Sequence, residues 1–280
     1  MSNQRTLKTS AAINGRGLHT GEGCKLTLIP AEPNTGVVFA TRQGEIRAVA
    51  GNVGDTHRGT TLRSGNAEIH TVEHLLAALA GLGVDNVRIE AEGPEIPAGD
   101  GSALPFVELI ESAGLADQAV VANVVDLSEP VWVADAGKYL LAVPRTGFRI
   151  SALISFAHPM IGEQTISLEI DPETFKREIA PARTFCTSDE IDMILSQGLG
   201  KGGTKDNVIV VNEDCYSIPL RFEDEFVRHK VLDLIGDLSL TGGRLHADVT
   251  AIKSSHTLNT ALAEKIYVGE GLCALPNEKI

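Results

Sequence analysis

The run Arg228-His-Lys-Val-Leu-Asp-Leu-Ile-Gly-Asp-Leu238 predicts an amphipathic helix. Its apolar residues recur at helical spacing along one side, namely Val227, Val231, Leu234, Ile235 and Leu238. His229, Asp233 and Asp237 follow one another at intervals of four, which stacks them on the other side. An imidazole and a carboxylate one turn apart can reach the same divalent ion, so this row is a candidate metal site. An ordinary solvated polar face is the alternative.

A second predicted helix lies in the segment Thr71-Val-Glu-His-Leu-Leu-Ala-Ala-Leu-Ala-Gly-Leu-Gly83. Its apolar residues have helical spacing, Thr71 is suited to be the N-cap, and Gly81 or Gly83 is suited to end the helix. Glu73 and His74 fall outside the apolar stripe, where a catalytic base and a metal ligand can stand side by side. The alternative is that Glu73 only complements the helix dipole and that His74 is a partly exposed surface residue.

Together the two helices offer three zinc-type ligands, His74, His229 and Asp233. Structural zinc sites normally close with four protein ligands, whereas catalytic sites keep the fourth position for water. The set therefore indicates a catalytic metal site, with Glu73 next to it.

Several longer motifs occur in order along nearly the whole chain. On these motifs the chain resembles the UDP-3-O-acyl-N-acetylglucosamine deacetylases, the zinc amidases of lipid A synthesis. The motifs are G-R-G-L-H-T-G (15–21), T-V-E-H-L-L-A-A-L-A-G-L-G (71–83), E-I-P-A-G-D-G-S-A-L-P-F (95–106), P-A-R-T-F (181–185), R-F-E-D-E-F-V-R-H-K-V-L-D-L-I-G-D-L (221–238) and K-S-S-H-T-L-N (253–259). The resemblance implies a metal-dependent hydrolase of a linear amide, which removes the N-acetyl group of an acylated UDP-amino-sugar and releases acetate.

The same resemblance implies an α+β fold. Two similar α+β domains would have sheets that sandwich a central layer of helices, with a β-α-β insert in the second domain. The sequence itself places a boundary near residues 114–123, where a predicted helix gives way to a polar link. We therefore expect domains at 1–120 and 121–280, with the insert at about 186–213. Each half contains strand-like segments, a histidine-bearing helix and a further strand, which suggests an internal duplication.

The resemblance also implies the metal chemistry. Zn²⁺, with Fe²⁺ as the alternative, would be held by His74, His229 and Asp233, where it would activate water and polarise the substrate carbonyl. Glu73 would serve as the general base on that water.

The leaving amine needs a proton donor, and His256 in K-S-S-H-T-L-N is the candidate. Asp237, one turn beyond Asp233, could accept from an imidazole N–H and keep His256 protonated. Thr184 in A-R-T-F resembles the family residue that helps to stabilise the oxyanion. Without the resemblance, a loop histidine, a solvated aspartate and a strand threonine would be the simpler interpretations.

Substrate contacts are expected from residues near the predicted metal helix and from the insert. The resemblance assigns Lys230 to substrate binding, His19 is expected to border the cleft, and Lys253 together with Arg244 could help to hold a diphosphate. The expected lining of an acyl-chain groove is Phe185, Ile191, Ile194 and Leu195. A surface lysine and local core packing are the alternatives.

Two residues depart from the family pattern. Ser255 stands before His256 where glycine is common, and Cys186 follows A-R-T-F where glycine is also common. The first could shift the position of His256, and the second could alter acyl-chain preference.

Composition limits the class of protein. The net charge of −13 makes non-specific nucleic-acid binding unfavourable. No apolar run is long enough to span a bilayer, and the polar start M-S-N-Q-R-T is not a signal peptide. Cysteines without C-x-x-C spacing indicate free thiols in a reducing cytoplasm, namely Cys24, Cys186, Cys215 and Cys273. We expect a cytoplasmic monomer without a transmembrane segment.

Two other functions are compatible with the same residues. One is a zinc deacetylase of another N-acetylated sugar, which would not require the apolar insert. The other is a non-catalytic metal-binding protein, which three ligands with an adjacent glutamate do not favour.

Overall fold

Alternating apolar and polar residues account for most strands of the computed structural model, which describes residues 2–269. In the strand Arg244–Ile252, for example, the buried residues Leu245, Ala247, Val249 and Ala251 alternate with more exposed ones. The strands before residue 122 are β1 (Asn3–Leu7), β2 (Ala11–Arg16), β3 (Gly23–Pro30), β4 (Val37–Thr41), β5 (Gly44–Arg47), β6 (Val53–Asp55), β7 (Thr61–Ser64), β8 (Ala67–Ile69), β9 (Val87–Glu92) and β10 (Leu115–Val121). Those after it are β11 (Val124–Asp126), β12 (Val131–Asp135), β13 (Lys138–Pro144), β14 (Phe148–Ser155), β15 (Glu163–Glu169), β16 (Phe185–Thr187), β17 (Ile209–Val211) and β18 (Arg244–Ile252). The helices are α1 (Glu73–Gly81), α2 (Leu104–Ala113), α3 (Pro172–Thr174), α4 (Ile191–Ser196), α5 (Glu225–Leu238) and α6 (His256–Gly269).

The two larger sheets have the same strand order. The first is β2-β3-β9-β4-β5, and the second is β12-β13-β18-β14-β15 with β11 added beside β18. In each sheet the central strand, β9 or β18, pairs in parallel with one neighbour and antiparallel with the other. Each central strand follows a predicted histidine-bearing helix and precedes another helix. The predicted α+β class is confirmed, and the two larger sheets repeat the same strand order and connections.

The helices α1 and α5 pack directly against each other. Each also contacts its own half, because α1 touches α2, whereas α5 touches β14, β15 and α6. The predicted apolar stripe of α5 is fully buried. A Cβ built on Gly236 would lie only 2.1 Å from the carbonyl oxygen of Glu73, so glycine permits this close contact. The backbone of α5 therefore meets α1 beside the residues predicted to carry the chemistry.

The predicted β-α-β insert forms as expected. β16 and β17 pair in parallel, and α4 lies between them in the chain. The glycine-rich turn that follows α4 rests on the loop around His19, because the backbone N–H of Gly202 donates to the carbonyl of Leu18 at 3.0 Å. The insert lies between β15 and α5 in the chain. In the first half, the chain between β5 and α1 instead forms a separate three-stranded sheet, β6-β7-β8, which was not predicted.

Two local predictions were wrong. Residues 115–121, expected within a polar link, form β10 and pair with β1. Thr71 is not the N-cap of α1, because its φ is +59° and its hydroxyl donates to Oε1 of Glu95 at 2.9 Å. The helix instead begins at Glu73 without a side-chain cap.

One hydrophobic core cluster extends through both halves. It includes Phe39 and Leu76 from the first half and Phe226 and Val249 from the second. Apolar side chains from both halves therefore belong to one continuous core.

The thiols and the helix lengths bear on the predicted environment. Cys24, Cys186 and Cys215 are free, as expected, and Cys273 lies outside the described residues. Within residues 2–269, no helix is both long enough and apolar enough to cross a membrane.

Candidate metal centre

The contact between α1 and α5 brings the three predicted metal ligands together. Ligand atoms of His74, His229 and Asp233 all lie within 4.8 Å of one another. Oδ1 of Asp233 is 3.5 Å from Nε2 of His74 and 3.4 Å from Nε2 of His229. The imidazole rings meet edge to face, with 5.1 Å between their centroids. All three side chains are buried, which a solvated polar face does not predict.

Helical spacing on α5 and the start of α1 produce this cluster. His229 and Asp233 are four residues apart and so stack on one face of α5. His74 lies in the first turn of α1, which α5 approaches closely at Gly236. The ligands therefore come from two rigid elements whose separation is set by a backbone contact.

The residues present fit a divalent cation. Oδ1 of Asp233 is buried and has no hydrogen-bond partner among the described residues. An unsatisfied buried polar atom usually costs about 1–3 kcal/mol, so it calls for a ligand. Two imidazole nitrogens and one carboxylate oxygen are a donor set that catalytic zinc sites use.

The protonation states of two of these side chains suit a cation. Burial lowers the pKa of His229 from 6.5 to about 3, so this imidazole is neutral. Its Nδ1 lies 3.3 Å from the carbonyl oxygen of Ala182, which can accept from Nδ1–H and leave Nε2 free. Burial by itself raises the pKa of Asp233, but the positive charges of Lys230 and His256 oppose it, and the pKa is held well below its usual value.

Lys230 lies at the edge of the cluster. Its Nζ donates to Oδ2 of Asp233 at 2.8 Å. Burial by itself lowers the pKa of Lys230, but the carboxylate of Asp233 raises it, so the ammonium stays charged. The two oxygens of Asp233 thus face different partners, and Lys230 holds the one that is turned away from the histidines.

Glu73 is buried beside the cluster. Its Oε2 accepts a hydrogen bond from the backbone N–H of Thr60 at 2.8 Å. Burial raises the pKa of Glu73 because water is excluded from around the carboxylate. A carboxylate with a raised pKa is a stronger base than one on the surface.

His256 is the first residue of α6, whereas a loop position was expected. Its Nδ1 is 2.9 Å from Oδ2 of Asp237, and Oδ2 also accepts from Nδ2 of Asn259 at 2.9 Å. Its Nε2 is 3.9 Å from Oδ2 of Asp233, so that side of the ring faces the metal cluster. Burial by itself lowers the pKa of His256, but the carboxylates of Asp237 and Asp233 outweigh it and raise the pKa from 6.5 to about 9. The ring is therefore an imidazolium at neutral pH.

The A-R-T-F segment also reaches the cluster. The backbone N–H of Thr184 donates to the carbonyl of Gly101 at 2.8 Å, and Thr184 lines a small cavity together with His74. The ring of Phe185 lies 6.0 Å from that of His229, measured between centroids. Both residues thus lie beside predicted ligands, Thr184 near His74 and Phe185 near His229.

The other predicted groove residues belong to α4 and differ in exposure. Ile194 is buried, Ile191 is partly buried, and Leu195 is 51% exposed. Met193, which was not predicted, is also exposed, so α4 presents apolar surface to solvent.

His19 and Lys253, two other residues predicted to bind substrate, are not members of the ligand cluster. His19 is partly buried, and its Nε2 lies 3.0 Å from the carbonyl oxygen of Arg58. Lys253 is exposed and directly follows β18, three residues before His256.

Arg244 does not join this group. It lies at the opposite end of β18 from Lys253, and its guanidinium is 2.6 Å from Oδ2 of Asp85. It ties the two halves of the chain together, so the suggested diphosphate contact has no support in its position.

Three residues that support the site were missed by sequence reasoning. Glu95 is buried and accepts hydrogen bonds from the backbone of His19 and from the hydroxyls of Thr20 and Thr71. Asn259 follows His256 by three residues and would have been found if a helix had been expected there. Thr60 had no local signal, because its partners are distant in the chain.

Comparisons with known proteins agree with these observations. A family model described as "LpxC: UDP-3-O-acyl N-acetylglycosamine deacetylase" matches residues 4–268. The chain is 43% identical over 273 residues to a protein of Anaeromyxobacter sp. (strain Fw109-5), which covers 96% of this chain and 90% of that relative. It is 45% identical over 270 residues to one of Myxococcus xanthus, with 94% and 86% covered, and 45% identical over 271 residues to one of Saccharophagus degradans, with 92% and 88% covered. All three relatives are named UDP-3-O-acyl-N-acetylglucosamine deacetylase.

Proposed function

The chain belongs to the LpxC family of UDP-3-O-acyl-N-acetylglucosamine deacetylases, and from this premise we propose that the cluster between α1 and α5 is its active site. The enzyme removes the N-acetyl group of UDP-3-O-acyl-N-acetylglucosamine, giving UDP-3-O-acyl-glucosamine and acetate in lipid A biosynthesis. The observation that carries the proposal is the buried triad His74, His229 and Asp233, with Glu73 and His256 both beside it.

The triad is the proposed metal site. His74, His229 and Asp233 would hold Zn²⁺, with Fe²⁺ as the alternative. When bound, the ion would activate water and polarise the acetamide carbonyl. A neutral His229 and an ionised Asp233 are the forms that ligation requires, so neither has to lose a proton first.

Glu73 is the proposed general base. Its carboxylate accepts a proton from water as the oxygen attacks the acetamide carbon. The hydrogen bond from the backbone of Thr60 to Oε2 restricts the orientation of the carboxylate and leaves Oε1 for the water.

His256 is the proposed general acid. Asp237 accepts from Nδ1 and stabilises the imidazolium, so Nε2–H faces the cluster and can donate to the leaving amine nitrogen. The C–N bond breaks as the nitrogen takes this proton, and acetate leaves. Thr184, beside His74, is the proposed second donor to the carbonyl oxygen during attack.

Residues around the cluster are proposed to hold the rest of the substrate. Lys230 would contact the sugar portion, and His19 and Lys253 would border the nucleotide. The acyl chain would lie along Phe185 and the apolar residues of α4, Ile191, Ile194 and Leu195. Phe185 supports this, because it is the first residue of β16 and its ring lies 6.0 Å from that of His229, measured between centroids.

The working context is part of the same proposal. The substrate is an acylated UDP-amino-sugar, the site is cytoplasmic, and the chain acts as a monomer. The described helices, none of which could cross a membrane, are compatible with this context.

Turnover of UDP-3-O-acyl-N-acetylglucosamine with and without metal tests the proposal. Acetate release should disappear after treatment with a chelator and return on addition of one equivalent of Zn²⁺. A large excess of Zn²⁺ should inhibit again, because Glu73 and His256 beside the cluster could bind a second, unproductive ion. Full activity in metal-free protein would contradict the proposal.

A further inference from the structure

One buried residue, Thr60, hydrogen-bonds to the base Glu73 and to Asp237, the partner of the acid His256. Its hydroxyl oxygen also lies 3.4 Å from Nδ1 of His256. Thr60 precedes β7 and is 0% exposed. Its backbone N–H donates to Oε2 of Glu73 at 2.8 Å, and its hydroxyl donates to Oδ1 of Asp237 at 2.5 Å. Asp237 in turn holds His256 through its other oxygen.

We propose that Thr60 is a positioning residue for the deacetylase reaction, which holds the base Glu73 and the acid His256 in a fixed relation through one rigid link. The inference rests on the proposed function, because it assigns Thr60 a part in that same reaction. Glu73 lies on α1 and His256 on α6, and neither helix contains a residue that bonds to both.

The hydroxyl matters because of how the oxygens of Asp237 are shared. Oδ2 accepts hydrogen bonds from His256 and Asn259, and Oδ1 accepts its hydrogen bond from the hydroxyl of Thr60. A hydrogen bond to an ionised carboxylate is stronger than one between neutral groups. Without this donor, the carboxylate could rotate to recover a partner for Oδ1 and would carry the His256 ring with it. Misorientation of the His256 ring would slow the proton-transfer steps.

The loop around Thr60 has little freedom to move. The carbonyl of Thr60 accepts from the backbone N–H of Val72 at 3.1 Å, so both of its backbone polar groups are bonded next to the start of α1. A Cβ built on Gly59 would lie 3.2 Å from Oε1 of Glu73, which shows how closely this loop approaches the carboxylate. The side chain of Thr60 is therefore presented to Asp237 from a fixed backbone.

The test compares Thr60→Val, which keeps the shape but removes the hydroxyl, with Thr60→Ser, which keeps the hydroxyl. Thr61→Val is the matched control, because Thr61 is the next residue, is also buried, and bonds to His70 outside the site. Acetate release from UDP-3-O-acyl-N-acetylglucosamine gives kcat and KM for each variant, and metal content is measured in parallel.

Thr60→Val should lower kcat by about tenfold to a hundredfold, with KM changed less than about twofold and the metal retained. Thr60→Ser should recover most of kcat, and Thr61→Val should resemble the unmodified protein. Wild-type kcat in Thr60→Val would overturn the inference. So would a Ser variant as slow as the Val variant, because the methyl group rather than the hydroxyl would then be responsible.

A second measurement separates positioning from general loss of structure. If Thr60 acts through Asp237 and His256, Thr60→Val should cost less than about twofold in kcat when His256→Gln is already present. The same full loss in both backgrounds would mean a structural role and would overturn the inference. If Val prevents folding, Thr60→Ala replaces it in the same comparison.

The outcome is distinguishable from failure of the proposed function. An unmodified chain that carries metal but does not release acetate from this substrate would refute the deacetylase itself. An active unmodified chain with an equally active Thr60→Val variant would refute only the role of Thr60.

Discussion

At the scale of single residues, the site is defined by buried polar atoms and by what bonds to each of them. Oδ1 of Asp233 lacks a hydrogen-bond partner, whereas both oxygens of Asp237 are fully bonded. An oxygen without a hydrogen-bond partner is free to bind a cation, whereas the bonded oxygens of Asp237 are suited to orient the ring of His256. Two aspartates on the same helix, one turn apart, thus have different parts to play.

Removal of a ligand should remove the metal. His74→Ala, His229→Ala and Asp233→Ala should each lose stoichiometric metal and turnover, because two remaining donors hold a dication weakly. Metal analysis after gel filtration measures this. His70→Ala is the control, since His70 lies four residues before His74 but bonds to Thr61 and Glu68 instead. A ligand variant with a full equivalent of metal and normal turnover would exclude that residue from the site.

Removal of a proton-transfer group should leave the metal in place. Glu73→Gln and His256→Gln should keep the fold and the ion but lower kcat by roughly two to four orders of magnitude. Metal content and kcat measured on the same samples would separate this behaviour from that of the ligands. Loss of metal in either variant would count against its assigned role.

The pH profile of kcat should be bell-shaped. Glu73 must be ionised, so activity rises as pH increases through its raised pKa. His256 must be protonated, so activity falls as pH increases through a pKa that the carboxylates raise to about 9. A bound dication favours the ionised form of Glu73 and the neutral form of His256, so it should move both limbs to lower pH than in the metal-free site. The limbs belong to a coupled site, but His256→Gln should mainly remove or shift the alkaline one. A profile unchanged in both limbs would exclude His256 as the acid.

At the scale of secondary-structure elements, the closeness of α1 and α5 sets the site. The two helices meet at Gly236, where no side chain separates the backbones. Because Glu73 and His74 begin α1 at this point, the spacing of the helices controls the distance between ligands. The insert has a different part, since it adds apolar surface beside Phe185 without supplying a ligand.

Gly236→Ala should destabilise the protein and loosen the metal site. A Cβ at this position would lie 2.1 Å from the carbonyl oxygen of Glu73, so the helices must move apart. Overpacking of this kind typically costs about 1–3 kcal/mol, which exceeds the ~1 kcal/mol gained in helix propensity. Urea unfolding measures the change. Gly269→Ala is the control, because it is also helical but has open space around it, and it should be neutral or slightly stabilising. Equal stability of the two variants would contradict the close contact.

The insert should decide substrate preference. UDP-N-acetylglucosamine without its 3-O-acyl chain should have a kcat/KM more than about tenfold lower than the acylated form, because each buried CH₂ contributes up to about 0.8 kcal/mol. Part of this binding energy can also position the acetamide, so kcat itself can fall. Leu195→Trp should disfavour long chains without changing metal content, whereas Val268→Trp, an exposed position on α6, should not. Equal kcat/KM for both substrates would refute the acyl groove and favour a general sugar deacetylase.

At the scale of the whole molecule, two halves with the same strand order contribute to one site. We propose that residues 1–120 and 121–280 are two domains that arose by duplication, because each has a central strand between equivalent helices. The equivalent helices α1 and α5 carry different members of the proposed active site. One helix carries the base and a ligand, and the other carries two ligands and the aspartate that holds His256.

The two halves should nevertheless unfold together. They share one hydrophobic core cluster, and α1 is apolar almost all round, so a half expressed alone would expose a large apolar surface. Thermal unfolding of the metal-free chain should therefore show a single transition by circular dichroism and by intrinsic fluorescence from Trp132 in the second half. Separate transitions by the two probes would contradict a shared core.

Local spacing was enough to predict much of this protein. The interval of four places His229 and Asp233 on one face of a helix, which predicts a pair of metal ligands. The adjacent residues Glu73 and His74, both outside an apolar stripe, predict a base and a third ligand at the start of another helix. The β-α-β insert and the α+β class also followed from local patterns and family motifs. These features depend on residues that are near one another in the chain.

Only the tertiary structure decided which distant groups meet. Thr60 bonds to Asp237, 177 residues away, and Asn259 and His256 meet that same carboxylate from another helix. Thr71 does not cap α1, because its hydroxyl donates to Glu95. Arg244 donates to Asp85, at the end of β18 that lies opposite Lys253. Burial, which shifts the pKa values of Glu73 and His229, likewise arises from packing between the halves. The physical reason is the same in each case: hydrogen bonds and desolvation depend on distances in space, and no local pattern of residues records them.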